Sequence, residues 1–140
     1  MFYFGVGIFI LSSIVAFSEG ANIVFILTDD QDLELQGLVP MTKTLSLIAN
    51  KGVTFENAFV TTPICCPSRS SILTGLYTHN HKAFNNSYEG GCAGETWRNL
   101  EKQTFGAYLH DSNYKTFYAG KYLNQYQADY VPEGWDWWIG

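Results

Sequence analysis

The apolar run Asn22-Ile23-Val24-Phe25-Ile26-Leu27-Thr28 is continuous rather than alternating, and it stops abruptly at Asp29-Asp30. Unbroken β-branched and aromatic hydrophobicity marks a strand buried on both faces, as in a parallel sheet covered by helices. The pattern therefore predicts a strand over 22–28 with two carboxylates at its C-terminal end, the edge where open α/β sheets place ligands. Leu45, Ile48 and Ala49 recur at helical spacing within Thr42 to Asn50, with Lys51-Gly52 as the stop. Val53 to Val60 has the length and composition of a short strand. Pro67 suits the first turn of a helix, where its missing N–H has no partner to lose, and Thr74-Gly75 suits the far end, so a short helix is predicted over Cys66 to Leu73.

From Tyr77 to Arg98 the chain is polar and rich in Gly and Asn, which predicts a long loop. Thr104 to His110 then reads as helix and Lys115 to Ala119 as a strand broken by Gly120. There are no repeats and no low-complexity segment. Strands and helices alternate, and the fold class predicted is one α/β domain with a mostly parallel sheet flanked by helices.

Residues Met1 to Phe17 carry no charge, and small residues follow at Ser18, Gly20 and Ala21. This has the form of a signal peptide over 1–20, cleaved before a domain spanning 21–140. A membrane anchor would need about 17 to 20 apolar residues, which this stretch barely supplies, so no membrane span is expected after cleavage. The secretory route permits disulfides and N-glycans. Asn85-Asn86-Ser87 is an acceptor sequon, making Asn85 a candidate glycosylation site.

Composition adds exclusions. The 140 residues are 46% apolar and 15% charged, which excludes a disordered tail. Eight basic against 13 acidic side chains, with no dense Lys/Arg cluster, argue against nucleic-acid binding. An anionic small substrate remains compatible with the net charge of -5, since a pocket needs only a few well-placed cations.

Three cysteines, Cys65, Cys66 and Cys92, cannot all pair within one chain. Cys66 with Cys92 is one candidate pair, leaving Cys65 over; composition leaves the pairing open. Cys65 stands at or just before the start of the predicted short helix, where the helix dipole favours negative charge. Arg69 follows four residues later on the same face, placed for bidentate contact with a tetrahedral oxyanion. Asp29-Asp30 offers hard oxygen ligands of the kind Ca²⁺ and Mg²⁺ prefer, although such a pair alone also reads as a solvated turn. His79 and His81 are expected at structural or substrate-rim positions, and Trp135, Trp137 and Trp138 in the core.

The run Pro63-Ile64-Cys65-Cys66-Pro67-Ser68-Arg69-Ser70-Ser71-Ile72-Leu73-Thr74-Gly75 resembles the signature of the type I sulfatases. Tyr114 to Leu123 resembles their second signature and Leu27-Thr28-Asp29-Asp30-Gln31-Asp32 their first metal motif. The double cysteine, His79-Asn80-His81, Gly120-Lys121-Tyr122-Leu123-Asn124 and Gly134-Trp135 are similar to the N-acetylglucosamine-6-sulfatase branch and the related extracellular heparan sulfate endosulfatases. Two positions depart from the common pattern: Asn113 stands where many members have Gly, and Leu123 where many have a catalytic His.

The resemblance implies an alkaline-phosphatase-like sulfatase fold. It implies that Cys65 is oxidised to formylglycine by the formylglycine-generating enzyme, serving then as nucleophile and Ca²⁺ ligand beside Asp29 and Asp30. Arg69 would hold the formylglycine and Lys121 would bind sulfate. The implied substrates are 6-O-sulfated glucosamine units of heparan or keratan sulfate, and the implied location is the lysosome, with the extracellular space as alternative. It further implies that 21–140 is the N-terminal part of a catalytic domain whose other metal and catalytic residues lie beyond Gly140, so that this stretch alone is expected to be inactive. Phosphoryl transfer on the same fold is disfavoured by Cys65, since those enzymes place Thr or Ser there; a non-catalytic sugar-binding product is the remaining alternative.

Overall fold

The computed structural model describes residues 20–140, and the signal peptide expected over 1–20 lies, apart from Gly20, outside them. The chain divides into two compact units, Met1–Asp30 and Gln31–Gly140. No helix among the described residues is long and apolar enough to cross a membrane.

In the first unit, the strand expected over 22–28 is not formed. Ile23, Val24, Phe25, Ile26 and Leu27 are all exposed, Val24 by 86%. A strand exists only when a neighbour takes up its N–H and C=O groups, and no ladder is made by this segment among the described residues. The run ends at a bend, with Asp30 in the left-handed region at φ 49°, which Asp tolerates better than most residues.

The second unit contains α1 (Thr42–Leu47), α2 (Cys65–Thr74), α3 (Thr78–His81), α4 (Glu95–Leu100), α5 (Phe105–Asp111), β1 (Phe117–Ala119) and β2 (Trp137–Ile139). The helix expected over 42–50 is present as α1, extended by a 3-10 turn at Ala49–Lys51 that ends at Gly52. The strand expected over 53–60 is absent for the same reason as the first: Val53, Phe55, Phe59 and Val60 are exposed and have no ladder partner. α5 begins where the sequence places it, because the Thr104 side chain accepts from the Ala107 N–H at 3.3 Å.

The loop expected over 77–98 is interrupted by α3 and by the start of α4. α4 owes its position to Trp97, which is fully buried, so one large anchor overrides a polar, Gly-rich surrounding. The expected strand at 115–119 shortens to β1, which pairs in parallel with β2 in the register Phe117↔Trp137, Tyr118↔Trp138 and Ala119↔Ile139. Lys115 and Thr116 are diverted to Asp136, whose carboxylate accepts from Lys115 Nζ, Thr116 N–H and Thr116 Oγ1 at 3.2, 2.8 and 3.1 Å. Two strands are too few to establish a parallel sheet flanked by helices.

The core gathers Cys66, Leu73, Ala83, Cys92, Ala93, Trp97, Tyr122 and Leu123, with Phe105, Tyr118, Tyr126 and Trp138 packed against it. Of the tryptophans expected inside, Trp138 joins this layer whereas Trp137 is exposed by 57%, since alternate residues of a strand face opposite ways.

Candidate active site

α2 carries two of the candidate site residues, Cys65 and Arg69. Ile64 precedes it in an extended conformation and cannot cap it, so the first turn needs acceptors from elsewhere. Asn86 supplies one: its Oδ1 accepts the Cys66 N–H at 2.9 Å, and Gln125 Nε2 donates to the Asn86 carbonyl at 2.9 Å. Pro67, without an N–H, removes another open donor from the first turn. At the far end Gly75 adopts φ 70° and its N–H donates to Ser71 O at 2.8 Å, the left-handed stop that a side-chain-bearing residue would resist.

A disulfide joins Cys66 to Cys92, with the two Cα atoms 6.0 Å apart and both residues fully buried. This settles the open pairing and leaves Cys65 as the thiol, half-buried at the first position of α2. Arg69, four residues on and only 8% exposed, donates from Nη1 to the Lys121 carbonyl at 2.8 Å. Arg69 and Lys121 are therefore joined directly, while the Lys121 ammonium belongs to an exposed residue. Asp29 and Asp30 are exposed at the end of the first unit's apolar run.

The side of α2 away from its N-terminus is held by histidine. His81, 1% exposed, accepts the Ala83 N–H at Nδ1 (3.1 Å), so its own proton sits on Nε2 and is donated to Ser71 Oγ at 3.0 Å. Burial lowers its pKa, and His79 adds to the effect. His81 is thus a neutral tie between α3 and α2, whereas His79 lies exposed and stacks on Tyr77 with ring centroids 5.9 Å apart.

The sequence pattern does not predict a buried carboxylate at Glu101. Glu101, 3% exposed, accepts at Oε1 from Trp97 Nε1 (3.1 Å), Tyr122 Oη (2.9 Å) and Tyr130 Oη (2.6 Å). Burial raises its pKa, opposed by those three donors and by Arg98. Only the Trp97–Glu101 spacing of one helical turn hints at this in the sequence; Tyr122 and Tyr130 arrive by tertiary folding. Leu123, standing where a histidine is common, is 4% exposed and part of this core, a place for an apolar side chain.

Residues 21–140 match the family described as Sulfatase. The chain belongs to the sulfatase family. It is 47% identical over 133 residues to N-acetylglucosamine-6-sulfatase of Homo sapiens, covering 89% of this chain and 24% of that protein. It is 48% identical over 120 residues to an extracellular sulfatase SULF-1 homolog of Drosophila melanogaster, covering 85% and 11%. An arylsulfatase of Volvox carteri is more distant, at 37% over 123 residues, covering 81% and 18%. The chain thus spans about a quarter or less of the length of these sulfatases. No solved structure matches it.

Proposed function

We propose that this chain carries the nucleophile-bearing part of a sulfuric ester hydrolase acting on 6-O-sulfate esters of N-acetylglucosamine or glucosamine units in heparan or keratan sulfate. The observation that carries the proposal is the arrangement on α2. Cys65 opens the helix within the Cys-x-Pro-Ser-Arg run, and the Arg69 guanidinium is buried on the same helix and bonded to the Lys121 backbone. The likeness to N-acetylglucosamine-6-sulfatase supports the 6-sulfated sugar as substrate.

The chemistry needs Cys65 as formylglycine, produced by the formylglycine-generating enzyme. One hydroxyl of the aldehyde hydrate attacks sulfur, the bond between sulfur and the sugar oxygen breaks, and the sugar leaves as its alcohol with a proton. The second hydroxyl then loses its proton, its oxygen re-forms the carbonyl, and sulfate is expelled. Water restores the hydrate. A thiolate would stop after the first step, having no second oxygen to drive the elimination. Arg69 holds the modified residue, and Lys121 binds the sulfate oxygens on which charge accumulates.

The donor set suits Ca²⁺. Asp29 and Asp30 supply hard carboxylate oxygens, and conversion of Cys65 replaces a soft sulfur by oxygen, which a hard cation accepts. The bound ion would stabilise negative charge at the sulfate group. Asn85 is exposed, with its Oδ1 accepting the Ser87 N–H at 2.8 Å, and it is the proposed glycosylation site. A secretory protein delivered to the lysosome follows from this reading. The similarity to an extracellular sulfatase favours a second, closely allied reading, secretion and action on internal 6-sulfates.

Mass spectrometry of the Cys65 peptide after coexpression with the formylglycine-generating enzyme tests the proposal. An aldehyde at position 65 is expected. An unmodified thiol, with a control sulfatase converted in the same cells, would defeat it. Heparan oligosaccharides sulfated only internally or only at the non-reducing end, offered to the complete enzyme, separate the two readings.

A further inference from the structure

We infer that Tyr118 is a positioning residue for Lys121: its hydroxyl, together with the Arg69 guanidinium, fixes the Lys121 carbonyl and thereby sets where the lysine side chain leaves the backbone. The inference rests on the reading of Lys121 as the sulfate-binding cation. Tyr118 Oη donates to Lys121 O at 2.7 Å and Arg69 Nη1 donates to the same atom at 2.8 Å. A carbonyl oxygen has two lone pairs, so two donors arriving from β1 and from α2 define its direction. Gly120, at φ 113°, makes the reversal that lets a hydroxyl reach the carbonyl three residues later.

The ring cannot drift. Tyr118 stacks on Trp138 with centroids 4.4 Å apart, and meets Trp135 and Tyr122 edge-on at 5.1 and 5.8 Å. Burial raises the phenol's pKa against the pull of Arg69, which keeps the hydroxyl protonated and able to donate. The nucleophile helix and the sulfate-binding lysine are in this way registered through one peptide group.

The test is Tyr118→Phe, which removes the hydroxyl and retains the ring packing. In the complete sulfatase, kcat/KM on a 6-O-sulfated N-acetylglucosamine substrate is expected to fall about three- to tenfold, the scale of one hydrogen bond. In this chain, the carbonyl ¹³C resonance of Lys121 is expected to move, reporting the lost donor. Wild-type kinetics in the variant, or an unmoved carbonyl resonance, would overturn the inference. If the wild type hydrolyses no 6-sulfated substrate, the functional reading fails instead, and the carbonyl resonance alone decides: a shift upholds the positioning contact and no shift refutes it.

Discussion

At the scale of single residues, the side chains that matter most hold backbone atoms. The spacing of Arg69 to Cys65 predicts an anion contact, and in the fold its Nη1 also donates to the carbonyl of Lys121. A buried guanidinium is held by more than one attraction, so its loss is structural as well as chemical. Arg69→Ala is expected to destabilise the fold by about 2 kcal/mol, on the scale of a hydrogen bond to a charged group, read as a lower urea midpoint. Asn86 was legible only as the middle residue of a sequon, although its side chain caps the helix bearing Cys65. Asn86→Ala should cost about 1 kcal/mol, the usual value of an N-terminal cap, while Asn86→Asp keeps the acceptor and should cost less. Equal urea midpoints for the Ala variant and wild type would show that the Asn86 side chain does not stabilise α2.

At the scale of elements, what could be read from the sequence was what is decided locally. α5 starts on its own threonine and α2 stops on its own glycine, so both were placed within one residue at each end. The strands at 22–28 and 53–60 were misplaced because a strand's existence depends on a partner that no local pattern contains. α4 was missed because its evidence is one tryptophan whose burial is a tertiary fact.

The same elements carry opposed pH dependences. Glu101, on the turn following α4, has a raised pKa in the fold. Its contribution is fully present below the unfolded value near 4.5 and is lost as pH rises through the higher folded value. His81, on α3, has a lowered pKa. Its contribution is present above 6.5 and is lost as pH falls through the lower folded value. Glu101→Gln keeps an acceptor for Trp97, Tyr122 and Tyr130 and removes the titration. Relative to wild type it should be no more stable at pH 4.5 and should gain stability as pH rises, measured by urea unfolding across that range. A constant difference at all pH values would show that Glu101 has the same pKa folded and unfolded.

At the scale of the whole molecule, the Cys66–Cys92 disulfide ties the start of α2 to the segment before α4, 26 residues away, and closes a loop containing α3 and Asn86. Chain-entropy reasoning for a loop of that length gives about 3.5 kcal/mol of stabilisation. Its position next to Cys65 adds a chemical consequence. Cys65 and Cys66 are neighbours in the chain, so a Cys92 thiol deprived of Cys66 has Cys65 as an alternative partner one residue away. On the proposed reading of Cys65 as a formylglycine precursor, its oxidation to a disulfide with Cys92 by the oxidants of the secretory pathway would withhold the thiol from the formylglycine-generating enzyme. Cys66→Ser is therefore expected to lower both the urea midpoint and the fraction of Cys65 converted. Cys66→Ser/Cys92→Ser should lose the same stability but recover conversion, because no competing thiol remains. Peptide mass spectrometry distinguishes the two variants. Equal conversion in both would show that the native disulfide stabilises the fold without protecting Cys65 from mispairing.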